Sequence, residues 1–323
     1  MSASERSLLT SWKRRPAARH FDFFFSPSGK TLSLFSPAKI NLSLFVLHKR
    51  PDGFHEIATL MQTISLGDIM HMEKVEAHHD RLTCSGYPME CDESNLILKA
   101  LAYFRKKSAM NVHLRIHVEK RIPLEGGLGG GSSNLATALW GINQWLPKPL
   151  PLSALQEFSS HLSSDGPFFF SSGTAYATGR GEKIYPLPPF TFSSPLWLIK
   201  PCYGLSTALV YRHCQPSHFS QAREAESIPG QYGEKNFLGK NDLEPSAFTL
   251  KPELRTLKTH LRYMGFRQVC MTGSGPTFYC MGNPSQPFLP GLAHCPITLV
   301  SRHSEKGWYD FPPADSSVLL HTP

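Results

Sequence analysis

The stretch Pro123-Leu-Glu-Gly-Gly-Leu-Gly-Gly-Gly-Ser-Ser-Asn134 governs the reading of everything around it. A core strand avoids this much glycine, which is costly to order and has no side chain to pack. Glycine is useful where backbone N–H groups must approach an anion closely. Upstream, Val112, Leu114, Ile116 and Val118 alternate with polar residues and predict a strand. Downstream, Leu135, Ala138, Leu139, Ile142, Trp145 and Leu146 recur at helical spacing until Pro147, with Ser132, Ser133 or Asn134 as the expected cap. Strand, glycine loop and helix N-terminus together favour phosphate, through free amides and the helix dipole. A flexible linker would lack such a frame.

Two common phosphate motifs do not fit. The only Gly-Lys-Thr is Gly29-Lys30-Thr31, and the earlier glycine that a P-loop requires is Phe24. A G-x-G-x-x-G reading from Gly127 or Gly129 ends on Ser132 or Asn134. The loop is a phosphate loop of a third kind.

The run Pro-x-x-x-Gly-Leu-Gly-Gly-Gly-Ser-Ser resembles the central motif of the GHMP kinases, which phosphorylate small-molecule hydroxyls with ATP. Three glycines before Ser-Ser-Asn look most like the branch acting on a cytidine-diphosphate-linked polyol. Glu125 stands where a small residue is usual. Further strings match in the superfamily's order, from about Thr31 to Val300: Ser36-Pro-Ala-Lys39-Ile-Asn41-Leu, Gly53-Phe54-His55, Asn95-Leu-Ile, Asp165-Gly-Pro-Phe-Phe, Gly179-Arg-Gly-Glu, Asn241-Asp-Leu-Glu and Thr272-Gly-Ser-Gly275. Gly166 replaces the usual apolar residue after the aspartate.

The resemblance implies an α+β, two-domain GHMP kinase fold. An N-terminal ribosomal-protein-S5-like domain (31–185) and a C-terminal ferredoxin-like domain (186–310) would flank a cleft. Pro186, Pro188 and Pro189 mark the expected boundary, residues 1–30 a basic extension and 311–323 a tail. It also implies ATP with Mg²⁺. Pro123, Leu124, Glu125, Gly126, Gly127, Leu128, Gly129, Gly130, Gly131, Ser132 and Ser133 would form the ATP loop, with Ser132 or Ser133 offering oxygen to the metal. Lys39 and Asp165 would be catalytic. Asn41, Phe54, His55, Thr207, Tyr211, Gly273, Ser274 and Gly275 would line the substrate pocket. Read locally, alternatives stay open. Asp165 sits where a helix cap is expected, Tyr211 fits helix packing as well as base stacking, and Gly179 and Gly181 suit an ordinary turn.

The whole chain narrows the field. It has 33 lysines and arginines against 25 acids, a formal charge of +8, which suits acidic small molecules. No aromatic-studded basic stretch points to nucleic acid, and no apolar run is long enough for a bilayer. Seven scattered cysteines lack C-x-x-C spacing, which suits reduced thiols rather than disulfides or zinc. The expectation is a cytoplasmic monomer or homodimer, or a plastid protein if residues 1–30 are a transit peptide. The rival readings are a homoserine, mevalonate or sugar kinase of the same superfamily, and a non-catalytic nucleotide-binding regulator on that fold.

Overall fold

The computed structural model describes residues 29–189, 192–231, 239–302 and 307–312. The basic segment before Gly29 and the tail beyond residue 312 lie outside these residues. The fold is built on two long antiparallel strands, β1 (Thr31–Lys49) and β2 (His55–Val75). One end of β2 also pairs with β4 (His113–Lys120), and the other with β5 (Thr174–Gly179). Strand β3 (Arg81–Gly86) lies parallel to β4, and β6 (Lys183–Pro186) closes the opposite edge. A second sheet has the order β10-β7-β9-β8, from β7 (Leu196–Pro201), β8 (Gln268–Met271), β9 (Phe278–Met281) and β10 (Leu292–Ile297).

Helices α1 (Leu96–Ser108), α2 (Gly130–Asn143) and α3 (Leu152–Ser160) bury their apolar faces against the first sheet. Phe104, Leu135, Leu139 and Leu155 meet Leu34, Met70, Ile116 and Val118 there. In the second sheet, neighbouring residues alternate between two cores, as the two-residue period of a strand dictates. Leu198, Cys270 and Tyr279 pack toward β1 and β2, whereas Ile199, Met271 and Phe278 face the other core. That core is covered by α4 (Thr207–Arg212), α7 (Glu244–Leu250) and α8 (Glu253–Tyr263). Between them lie two short helices, α5 (Ala222–Glu226) and α6 (Ile228–Gln231). Ala225 and Ile228 fill the core beside β2, an apolar pair too sparse to show a period.

Strand β1 departs from simple alternation. Ile40, Leu42, Leu44 and Val46 alternate along the strand, but a register shift between Asn41 and Ser43 divides them. Ile40 and Leu42 enter one core, Leu44 and Val46 another, as a bulge permits. The opposite face is buried as well, including Lys39 and Asn41 at 3% exposure each.

The chain after β10 returns to the first sheet. Ser65 N donates to Thr298 O, and Val300 N to Thr63 O. Trp308 and Tyr309 then complete the core around Phe35, Trp140 and Phe170, and Trp308 Nε1 donates to Phe35 O at 2.8 Å. This segment carries no periodic signal in the sequence. Among the described residues, no helix is long and apolar enough to cross a membrane, and the seven cysteines are free.

A buried polar knot fixes the start of α2. Asp68, fully buried, accepts from Lys120 Nζ at 2.5 Å, Asn134 Nδ2 at 2.9 Å, and the amides of Arg121 and Ile122. Asp68→Ala leaves the Lys120 ammonium buried without its counter-charge. The expected loss is about 3–5 kcal/mol of stability, read as a lower urea midpoint at unchanged slope.

Candidate active site

The glycine run forms its helix earlier than the capping pattern suggests. Helix α2 begins at Gly130, and its N-cap is Gly129, in the left-handed region at φ 69°. No side chain caps it, because the three expected cap residues sit inside the helix and bond elsewhere. Ser132 Oγ meets Ser163 Oγ at 2.7 Å, Ser133 Oγ meets Ser36 Oγ at 2.8 Å, and Asn134 reaches Ser36 and Asp68. The amides of Gly130, Gly131 and Ser132 therefore have no partner within the helix, and no side-chain cap competes for them. Helix α1, in contrast, has a side-chain cap. Its cap is Asn95, which accepts from Ile97 N, while Ser94 binds Asp92.

Two glycines are needed for close approach rather than for flexibility. A Cβ at Gly127 would stand 2.2 Å from Thr272 O, across the junction with the second sheet. A Cβ at Gly129 would stand 2.9 Å from Cγ of Lys39. The loop is thereby pressed between β1 and the turn after β8. Glu125 takes the left-handed region at φ 49°, its carbonyl accepts from Leu205 N, and its side chain lies against Gly204.

Lys39 projects from β1 under this loop. Its ammonium donates to Asn41 Oδ1 at 2.6 Å and Gly127 O at 3.0 Å, and lies 3.5 Å from Asp165 Oδ2. Asn41 in turn donates from its side-chain amide to Thr59 Oγ1 and from its backbone N–H to Thr272 Oγ1. Asp165 precedes a 3₁₀ turn, Gly166–Phe170, yet its side chain makes no capping bond. The carboxylate faces Lys39 instead, so local capping does not account for it.

These groups share a cavity of about 870 Å³. Its wall holds Lys39, Asn41, Phe54, His55, Asp165, Thr207, Tyr211, Gly273, Ser274 and the loop from Pro123 to Ser132. Ser133 and Gly275 lie behind the wall. The Ser133 hydroxyl is turned to Ser36, and its amide donates to Gly129 O. Five cations line the cavity, Lys39, Lys49, Lys120, Arg180 and Arg212, against the carboxylates of Glu125 and Asp165. That balance suits a polyanionic ligand. No group of three or more His, Cys, Asp or Glu side chains among the described residues could hold a metal by itself. A hydrated Mg²⁺ that arrives on phosphates needs only one or two protein oxygens. The Ser132 hydroxyl and the Asp165 carboxylate, both on the wall, meet that requirement.

At the far end the cavity is aromatic. The rings of His55 and Tyr211 are 5.4 Å apart and inclined by 30°, and Phe54 stands half exposed at the rim. Burial, with Lys49 nearby, lowers the pKa of His55, which keeps the imidazole neutral. Burial and the neighbouring Asp165 raise that of Tyr211, which keeps the phenol protonated. Thr207, at the first position of α4, meets Ser274 hydroxyl to hydroxyl at 2.8 Å.

Some residues that build the site gave a weaker signal in sequence. Asn241, Asp242 and Glu244 stand at the start of α7, and their side chains are tethers. Asn241 Nδ2 donates to the carbonyls of Met271 and Gly273, Asp242 accepts from Val46 N, and Glu244 accepts from Met271 N. Asp68 and Lys120 carry a fainter signal still. The available signal was a carboxylate inside an otherwise apolar strand, which must find a partner when buried.

Residues 95–173 match the model of the GHMP kinases N terminal domain, and residues 231–287 that of the GHMP kinases C terminal. The chain is 47% identical over 257 residues to the 4-diphosphocytidyl-2-C-methyl-D-erythritol kinase of Protochlamydia amoebophila, covering 80% of this chain and 86% of that protein. The chloroplastic enzyme of the same name from Arabidopsis thaliana is 42% identical over 264 residues, covering 79% and 69%. A crystal structure of 4-(cytidine 5'-diphospho)-2C-methyl-D-erythritol kinase superposes with a TM-score of 0.66 at 31% identity, over 83% of this chain and 98% of that one. Homoserine kinase from Cytophaga hutchinsonii shares the fold, with a TM-score of 0.59 at 17% identity, over 81% and 88%. By identity and coverage together, this chain belongs to the GHMP kinases, within the family of the 4-diphosphocytidyl-2-C-methyl-D-erythritol kinases.

Proposed function

We propose that the protein transfers the γ-phosphoryl group of ATP to the 2-hydroxyl of 4-diphosphocytidyl-2-C-methyl-D-erythritol. The products are the 2-phosphate and ADP, in the non-mevalonate route to isopentenyl diphosphate. The observation that carries this reading is one cavity with the Lys39–Asp165 pair beneath a glycine loop at one end and an aromatic cleft at the other.

Phosphoryl transfer asks a protein mainly for positioning and for stabilisation of charge. The amides at the start of α2 donate to nucleotide phosphates, helped by the helix dipole. Mg²⁺, held on those phosphates and by Ser132 or Asp165, would neutralise their charge. Asp165 accepts the proton of the acceptor hydroxyl as general base. Lys39, braced by Asn41 and Gly127, fixes that carboxylate and offsets charge developing on the transferred group. Phe54 and Tyr211 offer stacking faces to cytosine, and neutral His55 offers both a donor and an acceptor to its edge.

The test is ADP release by the purified protein with Mg-ATP and 4-diphosphocytidyl-2-C-methyl-D-erythritol. Asp165→Asn is expected to lose about 10²–10⁴-fold in turnover while still binding ATP. Turnover of homoserine or mevalonate in place of that substrate would overturn the reading. So would ATP binding without turnover of any acceptor.

His55 makes a second test. Its lowered pKa means that the fold disfavours the imidazolium, so the neutral ring persists below the ordinary value of 6.5. Cytidine affinity is expected to hold as pH falls through 6.5 and to decline only at lower pH. In His55→Gln the affinity should be weaker and that decline absent. Titration calorimetry across pH reads both.

A further inference from the structure

The turn between β5 and β6 presents a residue that its glycine pattern alone does not explain. Arg180 lies between two left-handed glycines, Gly179 and Gly181, and its guanidinium carbon is 5.0 Å from the centre of the Phe54 ring. Its backbone N–H donates to Glu182 Oε2. Its nearest charged partner is that same carboxylate, 4.0 Å from Nε and beyond hydrogen-bond reach. Among the described residues, no hydrogen bond from the guanidinium is found. Two adjacent hairpins hold it in place, because Glu56 binds Arg50 with one oxygen and the amide of Gly179 with the other.

The position is informative. Arg180 lines the cavity beside Phe54, and the next residue, Gly181, approaches Asp165, with its Cβ direction ending 3.6 Å from Oδ1. Arg180 thus stands between the aromatic end and the reacting end. A guanidinium held by a cation–π contact, with no hydrogen bond of its own among the described residues, keeps its N–H groups for a ligand, and that fork matches phosphate oxygens. We propose that Arg180 is a further substrate-binding residue, donating to the diphosphate of the cytidine-diphosphate-linked acceptor while held against the Phe54 ring. This rests on the functional reading above. The residue links base recognition to placement of the hydroxyl at Asp165.

The test compares CDP with cytidine, which shares the base but lacks the phosphates, by calorimetry with Mg-ADP saturating the nucleotide loop. Arg180→Met is expected to weaken CDP by about tenfold or more, the size of a lost charge-assisted hydrogen bond, and cytidine by less than about threefold. Arg180→Gln carries the same comparison if the first variant does not fold. Equal weakening of both ligands would mean that Arg180 acts only through the Phe54 ring, and unchanged CDP affinity would mean that it has no role. Either result overturns the proposal and leaves the kinase reading standing. A wild-type protein that binds neither ligand overturns both.

Discussion

A lysine ammonium almost withdrawn from water, in the middle of the longest strand pair, is the constraint around which this molecule is arranged. Lys39 has no carboxylate within hydrogen-bond distance. It is held by an amide oxygen, a loop carbonyl and an aspartate 3.5 Å away. Burying a charge is costly unless it is compensated, so every one of those groups must arrive in register. Asn41 comes from the same strand, Gly127 from the glycine loop and Asp165 from the turn after α3. Each is fixed in turn by something more remote: Asn41 by Thr59 and Thr272, and the loop by the knot around Asp68. The site is therefore a condition of the fold as much as a product of it.

The junction between the sheets follows from the same need. Thr272, at the end of β8, reaches both Asn41 and Gly127. Asn241, Asp242 and Glu244 then tie the second sheet to β1 and to the turn that holds Ser274. These polar side chains are buried but satisfied, which makes them specific rather than merely tolerated. Apolar packing alone would allow the sheets to slide by a residue. Directed bonds across the cleft do not.

The sequence made some of this legible and not the rest, for physical reasons. Local chemistry showed through. The glycine run between a strand and a helix, and the Lys39-Ile-Asn41 string, are short-range patterns, and the structure brings their residues to one cavity. Burial was harder to read. Lys39 is a charged residue on a strand, and what covers it, the glycine loop and the turn after β8, lies far away in sequence. The cap of α2 was misplaced because Ser132, Ser133 and Asn134 spend their hydrogen bonds on tertiary partners, which outweigh capping preference. Asp68, Lys120 and the return of Trp308 depend on contacts across tens to hundreds of residues. No window along the chain contains them.

The placement of Trp308 bears on how the protein is made. Its indole reaches back 273 positions to Phe35, and with Tyr309 it seals the core beneath the first strands. A ribosome releases the chain from the N-terminus, so β1, β2 and their helices emerge long before the residues that close them. Until those last residues appear, Phe35, Trp140 and Phe170 lack a covering layer. The nascent chain must keep an apolar seam exposed for most of its synthesis, a period in which chaperones have something to hold. Removal of Trp308 and Tyr309 would leave a strand-rich body with that seam open, prone to self-association although the groups around Lys39 were intact.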